Sequence, residues 1–222
     1  MSSRAVMGAF IITVLGLTLL VTLMYIFIKT VSYSTYMALE QQFRRQRRRL
    51  ESGKEGEEAV AHELKFLPRE YKVLHGVVVT APEREPQEID HLVIGPAGVF
   101  HLETKNDMGR IIVTGEGDWI IKRDRHKVMG MKNPLAQIRR HEVVLAEFLE
   151  KAFPGRHTPL HGVVVLARPE TIVEGARNCP VPIIKLDRLH DFLIGFDPVL
   201  SPTEVELLYF KLSLLAENGE VG

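Results

Sequence analysis

The chain is poor in cysteine, in tryptophan and in net charge. Cys179 stands alone among 222 residues, which excludes an internal disulfide framework and any cysteine-rich zinc site. Lysine and arginine number 28 and aspartate and glutamate also 28, so the formal net charge is zero. A balance of zero excludes a nucleic-acid binder that works through uniform positive charge, provided the charges are evenly spread. Hydrophobic residues at 45% and charged residues at 25% exclude disorder as the main state. Proline and histidine are missing from the first 54 residues; all 12 prolines and all 9 histidines come later.

The charges are not evenly spread. Residues 1–54 carry eight basic side chains against Glu40 and Glu51, a balance of +6, and the remainder carries −6. Two unlike pieces therefore join near Ser52-Gly53. The first contains an uncharged run of 24 residues, Ala5 to Ile28. As a helix it spans roughly 36 Å, enough for a hydrocarbon core of about 30 Å. A signal peptide would have a shorter apolar region with its positive charge in front. Only Arg4 precedes this run, so a membrane anchor over 1–30 is expected, followed by a basic linker over 31–51. Lys29 and the arginines of FRRQRRRL (43–50) follow the span, and the positive-inside rule then puts the C-terminal domain in the cytoplasm. Those arginines read equally well as a topology signal, as a solvated linker helix or as a contact with anionic headgroups; a nucleic-acid role so near the membrane is the lesser reading.

The second piece, 52–222, alternates helical and strand patterns. Ser52-Gly53-Lys54-Glu55 has capping-box spacing and predicts a helix start, with a stop at Leu67-Pro68. Strands are predicted over 71–80, 88–94 and 99–105, the last two joined by the turn Gly95-Pro96-Ala97-Gly98. A second hairpin is expected over 110–122. Asn133-Pro134 supplies an N-cap and a first-turn proline for a helix to about Phe153. A buried strand follows at 161–167, a short one at 183–186, and helices near 187–194 and 202–216. The order predicts an α/β domain, one mixed sheet flanked by helices, preceded by one transmembrane helix.

The hairpin around Pro96-Ala97 carries the chemistry. With the turn centred there, Ile94 faces Val99, Leu92 faces His101 and Asp90 faces Glu103. Lys105 shares the face of Glu103, because side chains alternate along a strand. Two carboxylates about 4.5–5.5 Å apart at Cβ repel unless a cation lies between them, and Mg²⁺ is commonly held by one or two carboxylates with water and phosphate. On the first helix Glu57 precedes Val60, Ala61 and Leu64 at helical spacing, so it is expected on the apolar stripe, facing the sheet. Register alone leaves a surface salt-bridge ladder open.

Three stretches, GKEGE (53–57), EIDHLVIGPAGVFHLETKN (88–106) and NPLAQ (133–137), resemble the nuclease-related domain, NERD. That domain is assigned to the PD-(D/E)XK restriction-endonuclease-like superfamily. The resemblance is strongest over 52–153 and implies a restriction-endonuclease-like fold and Mg²⁺- or Mn²⁺-dependent hydrolysis of phosphodiester bonds, with DNA the expected substrate over RNA. It implies that Asp90 and Glu103 hold the metal and that Glu57 assists. The backbone carbonyl of Thr104 is an implied further ligand. Lys105 would orient the attacking water, and Gln137 would contact substrate or water.

Other readings stay open. Lys122, Arg123, Arg125, Lys127 and Lys132 form a basic segment, followed by Arg139 and Arg140. It suits phosphate contact and suits a solvated loop equally. His101 shares the face of Glu103 and reads best as a packing residue, as does Trp119 in its hairpin. His157 and His161 are separated by Pro159 and are discounted as a metal pair. Beside a membrane-tethered nuclease, two alternatives remain: a weak or inactive NERD module that binds nucleic acid or protein at the membrane, and an interaction protein using the Leu-rich last helix.

Overall fold

In the computed structural model of the protein, residues 3–81, 84–115, 117–122 and 128–218 are described. The chain divides into two compact units, Met1–Glu51 and Ser52–Gly222. The helix α1 (Ser3–Leu64) contributes residues to both.

In the first unit most of the apolar side chains described, among them Leu17, Leu20, Ile26 and Phe27, stand exposed. From Leu15 onward the helix is long and apolar enough to cross a membrane by length and composition. The threonines whose side chains are described bond back to the helix. Thr18 donates to the carbonyl of Leu15, Thr22 to that of Thr18 and Thr30 to that of Ile26. This internal bonding is what lets a hydroxyl sit in an apolar helix.

The second unit contains β1 (Lys72–Val79), β2 (Gln87–Gly95), β3 (Gly98–Lys105), β4 (Arg110–Val113), β5 (Trp119–Lys122), β6 (Val128–Gly130), α2 (Pro134–Ala152), β7 (Leu160–Leu166), β8 (Ile172–Glu174), β9 (Ile183–Lys185), α3 (Leu189–Ile194) and α4 (Pro202–Asn218). The strands form two sheets instead of the single one expected. One has the order β1-β2-β3-β7-β9, the other β6-β5-β4-β8. The hairpin of β4 and β5 thus leaves the main sheet and recruits β6 and β8. Those two strands have three residues each, too short for a period-two pattern to show.

The main sheet is antiparallel from β1 to β3 and parallel from β3 through β7 to β9. Leu92, Ile94 and Val99 face α2 and α4, packing with Val144, Leu145, Leu208 and Leu212. Val93, Phe100 and Leu102 face the other way, with Val60 and Leu64 of α1 and Leu189 and Leu193 of α3. The second sheet packs Ile111, Val113, Trp119 and Ile121 on Ile138, Val164 and Leu166. Trp119 is accordingly a core residue of that hairpin.

Helix ends follow local chemistry. The Asn133 side chain accepts from the Leu135 N–H at 2.9 Å, with Pro134 in the first turn. Ser201 and Glu204 form a reciprocal box: the Ser201 N–H donates to Glu204 Oε2 at 2.8 Å and the Glu204 N–H to Ser201 Oγ at 3.4 Å. The box expected at Ser52 does not form, because α1 is already helical there. Ser52 instead meets Asn106, whose Nδ2 donates to the Ser52 carbonyl at 2.6 Å.

Candidate metal-dependent active site

The ladder between β2 and β3 runs from Gly95↔Gly98 through Ile94↔Val99 and Leu92↔His101 to His91↔Leu102. The expected pairing of Asp90 with Glu103 lies one step beyond its end. There Asp90 turns towards the backbone of β3, and its Oδ2 accepts the Thr104 N–H at 2.7 Å. The cause is visible on the other side of β2. Its ladder with β1 skips from His75↔His91 to Val77↔Ile89, leaving Gly76 opposite Asp90 at φ +59°. Leu74 and Val77 face the same core cluster, as do Ile89 and Leu92, so alternation slips by one residue on both strands at this point. An added Cβ at Gly76 meets nothing within 4 Å, so glycine serves its left-handed backbone here, not space.

Glu103 continues the β3 face that carries Val99 and His101, and is 3% exposed. Lys105, on the same face, donates through Nζ to Glu103 Oε1 and to Gln137 Oε1, the latter at 3.1 Å. Gln137 lies in the first turn of α2, where the Asn133 cap and Pro134 set its place. Strand and helix thus hold a line of Glu103, Lys105 and Gln137. Glu103 Oε2 is buried with no hydrogen-bond partner.

Burial raises the Glu103 carboxyl to about 7, with Asp90 adding to the shift and Lys105 opposing it. Asp90 is also raised by burial, against the Thr104 N–H and Lys105, which favour its charged form. Glu57 is raised by desolvation of its carboxyl and then by the charge of Asp90. Desolvation is thus the largest cause at all three carboxyls; Asp90 adds to the shift of Glu103 and of Glu57, and Lys105 opposes all three.

Glu57 corrects one expectation. It is exposed as a residue and not buried on the apolar stripe. The buried residue of that turn is Gly56, where a Cβ would come within 2.6 Å of Asn106 Cβ. The α1 stripe of Val60 and Leu64 packs on the sheet face opposite Glu103 and Lys105. Glu57 stands at the rim and reaches Asp90 and Lys105 by charge, not by contact across the same face.

Of the basic residues, Lys132 is exposed and its charge favours ionised Glu103. Arg140 is exposed on α2 and donates to Gln87 Oε1 at 3.1 Å. Lys122 lies at the end of β5 in the second sheet, paired with Arg110 and Val128. Arg123, Arg125 and Lys127 lie outside the described residues. Sequence reasoning missed the Thr104 N–H that holds Asp90 and the Asn106 that ties Ser52. It also missed His141, buried one turn after Gln137, where its i+4 spacing is the signal.

Among the described residues no group of three His, Cys, Asp or Glu side chains forms a ready-made cation cluster. The donor chemistry nonetheless fits a hard divalent ion. Magnesium takes one or two carboxylates and completes its shell with water and phosphate, and Glu103 Oε2 is a buried oxygen lacking a partner.

Residues 52–167, more than half of the chain, match the nuclease-related domain. The chain belongs to the NERD family. The matched stretch of this NERD protein runs from the α1 turn that carries Glu57 to the end of β7, and so contains every carboxylate of the site. An uncharacterized protein of Bacillus anthracis is 34% identical over 103 residues, covering 46% of this chain. The chain spans about half of that relative, 49% of its length. No solved structure matches the chain.

Proposed function

We propose that this NERD protein is a membrane-anchored nuclease that hydrolyses phosphodiester bonds in nucleic acid with a divalent cation. The observation that carries the reading is Glu103, a carboxylate buried beside Asp90, with one oxygen lacking a partner and a lysine on the other. A structural core has no use for such an arrangement, because an ionised carboxylate without full hydrogen bonding is costly to bury. Asp90 and Glu103 would hold Mg²⁺ or Mn²⁺, with Glu57 contributing charge at the rim. Such an ion polarises a phosphoryl oxygen and lowers the pKa of bound water.

The chain's own groups do the positioning. The Thr104 N–H fixes Asp90 through Oδ2. Lys105 has three N–H donors and spends two on Glu103 and Gln137. The third is available to a water or a phosphate oxygen, where the ammonium also stabilises growing negative charge. Gln137 accepts from Lys105 through Oε1, and its amide NH₂ would donate to substrate. Arg140, Lys132 and Lys122 supply exposed positive charge for the phosphate backbone.

The uncharged run and the Lys/Arg bias behind it support anchoring, with the NERD domain on the cytoplasmic side. The test is cleavage of plasmid and oligonucleotide by the full chain with Mg²⁺, Mn²⁺ or EDTA. Asp90→Ala and Lys105→Ala are expected to lower the metal-dependent rate by about 10²–10⁴-fold. Variants as fast as wild type overturn the assignment. Binding without any metal-dependent cleavage would favour the alternative of an inactive binding module.

A further inference from the structure

The arginines of Phe43–Leu50 lie outside the family match and outside the site. All five are exposed on the helix of Met1–Glu51. Two are neutralised locally: Arg44 pairs with Glu40 at 2.6 Å and Arg47 with Glu51 at 2.8 Å. Arg45, Arg48 and Arg49 make no ion pair among the described residues; Arg48 Nε only donates to the Arg44 carbonyl, at 3.3 Å. At about 100° per residue these three fall within about 100° of the helix circumference, at i, i+3 and i+4. Glu40 and Glu51 lie off that arc. The result is one helix face with three uncompensated guanidinium groups, whose forked donors suit phosphate oxygens.

Distance decides which phosphate. If Ala5–Ile28 fills the hydrocarbon core, Arg45 follows Ile28 by 17 residues. An unbroken helix puts it about 25 Å further on. The headgroup layer accounts for about 5–7 Å of that, and the Debye length at physiological salt is about 8 Å. The field of anionic lipid has decayed before the first of the three arginines. A second copy of the same face would repel it.

We propose that Arg45, Arg48 and Arg49 form a phosphate-binding face for nucleic acid, separate from the cleavage site. The face touches backbone phosphates without reading bases, and so binds different sequences alike. It needs neither a metal nor Lys105, and stands or falls apart from the nuclease reading.

The experiment uses the full chain in nanodiscs of zwitterionic lipid, with a fluorescent duplex DNA in EDTA, titrated by anisotropy at several salt concentrations. For each duplex phosphate that the protein ceases to neutralise, the slope of log K against log salt falls in magnitude by about 0.9. Substituting Arg45, Arg48 and Arg49 by glutamine is expected to reduce the slope by about 2–3 and to weaken binding. Arg44→Gln with Arg47→Gln, which removes the paired arginines, is expected to move it less. Circular dichroism of each variant confirms that the helix persists. An unchanged slope in the triple variant overturns the proposal, as does an equal change in the paired-arginine control. Hydrogen-exchange protection of residues 43–50 that appears with anionic lipid and not with DNA assigns the face to lipid and also overturns it. Cleavage in Mg²⁺ tests the active site, whereas the slope in EDTA tests this face.

Discussion

The two units of this protein invert the same rule in opposite senses. In Met1–Glu51, Leu17, Leu20, Phe27 and other described apolar residues stand exposed. In Ser52–Gly222, the same residue types fill three core clusters, and it is a carboxylate, Glu103, that is buried. Exposed leucine and buried glutamate are each costly in water. On these two placements rest the proposals of a lipid phase around the first and of a cation beside the second. The difference teaches that composition alone does not reveal a site. What reveals it is a residue placed where its own chemistry is unfavourable.

The largest effect that sharpens this comparison comes from Glu103→Gln. The raised Glu103 carboxyl favours the folded state below its ordinary value of 4.5, and that advantage is lost as pH rises through about 7. At pH 8 without metal, Gln at this position is expected to stabilise the protein by roughly 1–3 kcal/mol. Denaturant midpoints check it, and cleavage should fall by about 10²-fold or more in the same variant. A variant that is less stable and equally active would remove the claim that burial here serves a cation.

Next comes the exposed side of the comparison. Leu17→Arg places a charge in the apolar run at a cost of about 2.5–3.5 kcal/mol for insertion. Flotation on a lipid gradient is expected to show the chain moving from the membrane fraction to the soluble or aggregated one. Retention in the membrane would break the reading of that run as a span.

The smallest effect concerns the buried histidines. Burial lowers His101 to about 3 and His91 and His141 to about 4. Neutral in the fold and protonated when unfolded, they contribute stability that is present above about pH 6.5 and lost as pH falls through about 4. Glu103 acts with the opposite sign over part of this window. His141→Gln is expected to flatten the acid limb of a stability–pH curve measured by chemical denaturation. An unchanged limb would show that these rings are not what acid attacks.

Much of the fold was legible because it rests on local signals. The turn Gly95-Pro96-Ala97-Gly98 set the register of β2 and β3, Asn133-Pro134 set the start of α2, and Ser201 with Glu204 set that of α4. The second sheet was not legible, since β6 and β8 are short and their pairing is long-range. The bend at Gly76 and Asp90 was hidden for a related reason: a period-two reading assumes that alternation never slips. Glu57 was read onto the sheet from helical spacing alone, but spacing fixes which residues share a stripe and not how a helix sits over the strand ends. Gly56 takes the close approach to Asn106 and leaves Glu57 at the rim.

The sequence by itself determined the apolar run, the charge division of +6 and −6, the hairpin of β2 and β3, the start of α2 and the spacing of Asp90 to Glu103-Thr104-Lys105, because each depends on neighbours in the chain or on a fixed period. Only the tertiary structure decided that Asp90 is held by a backbone N–H of β3. It alone showed that Lys105 is shared between a strand carboxylate and a helix amide, and that Glu103 lies buried with an unpartnered oxygen. Those depend on which groups water can still reach, and solvent exclusion arises only when strands and helices distant in the chain close over one another.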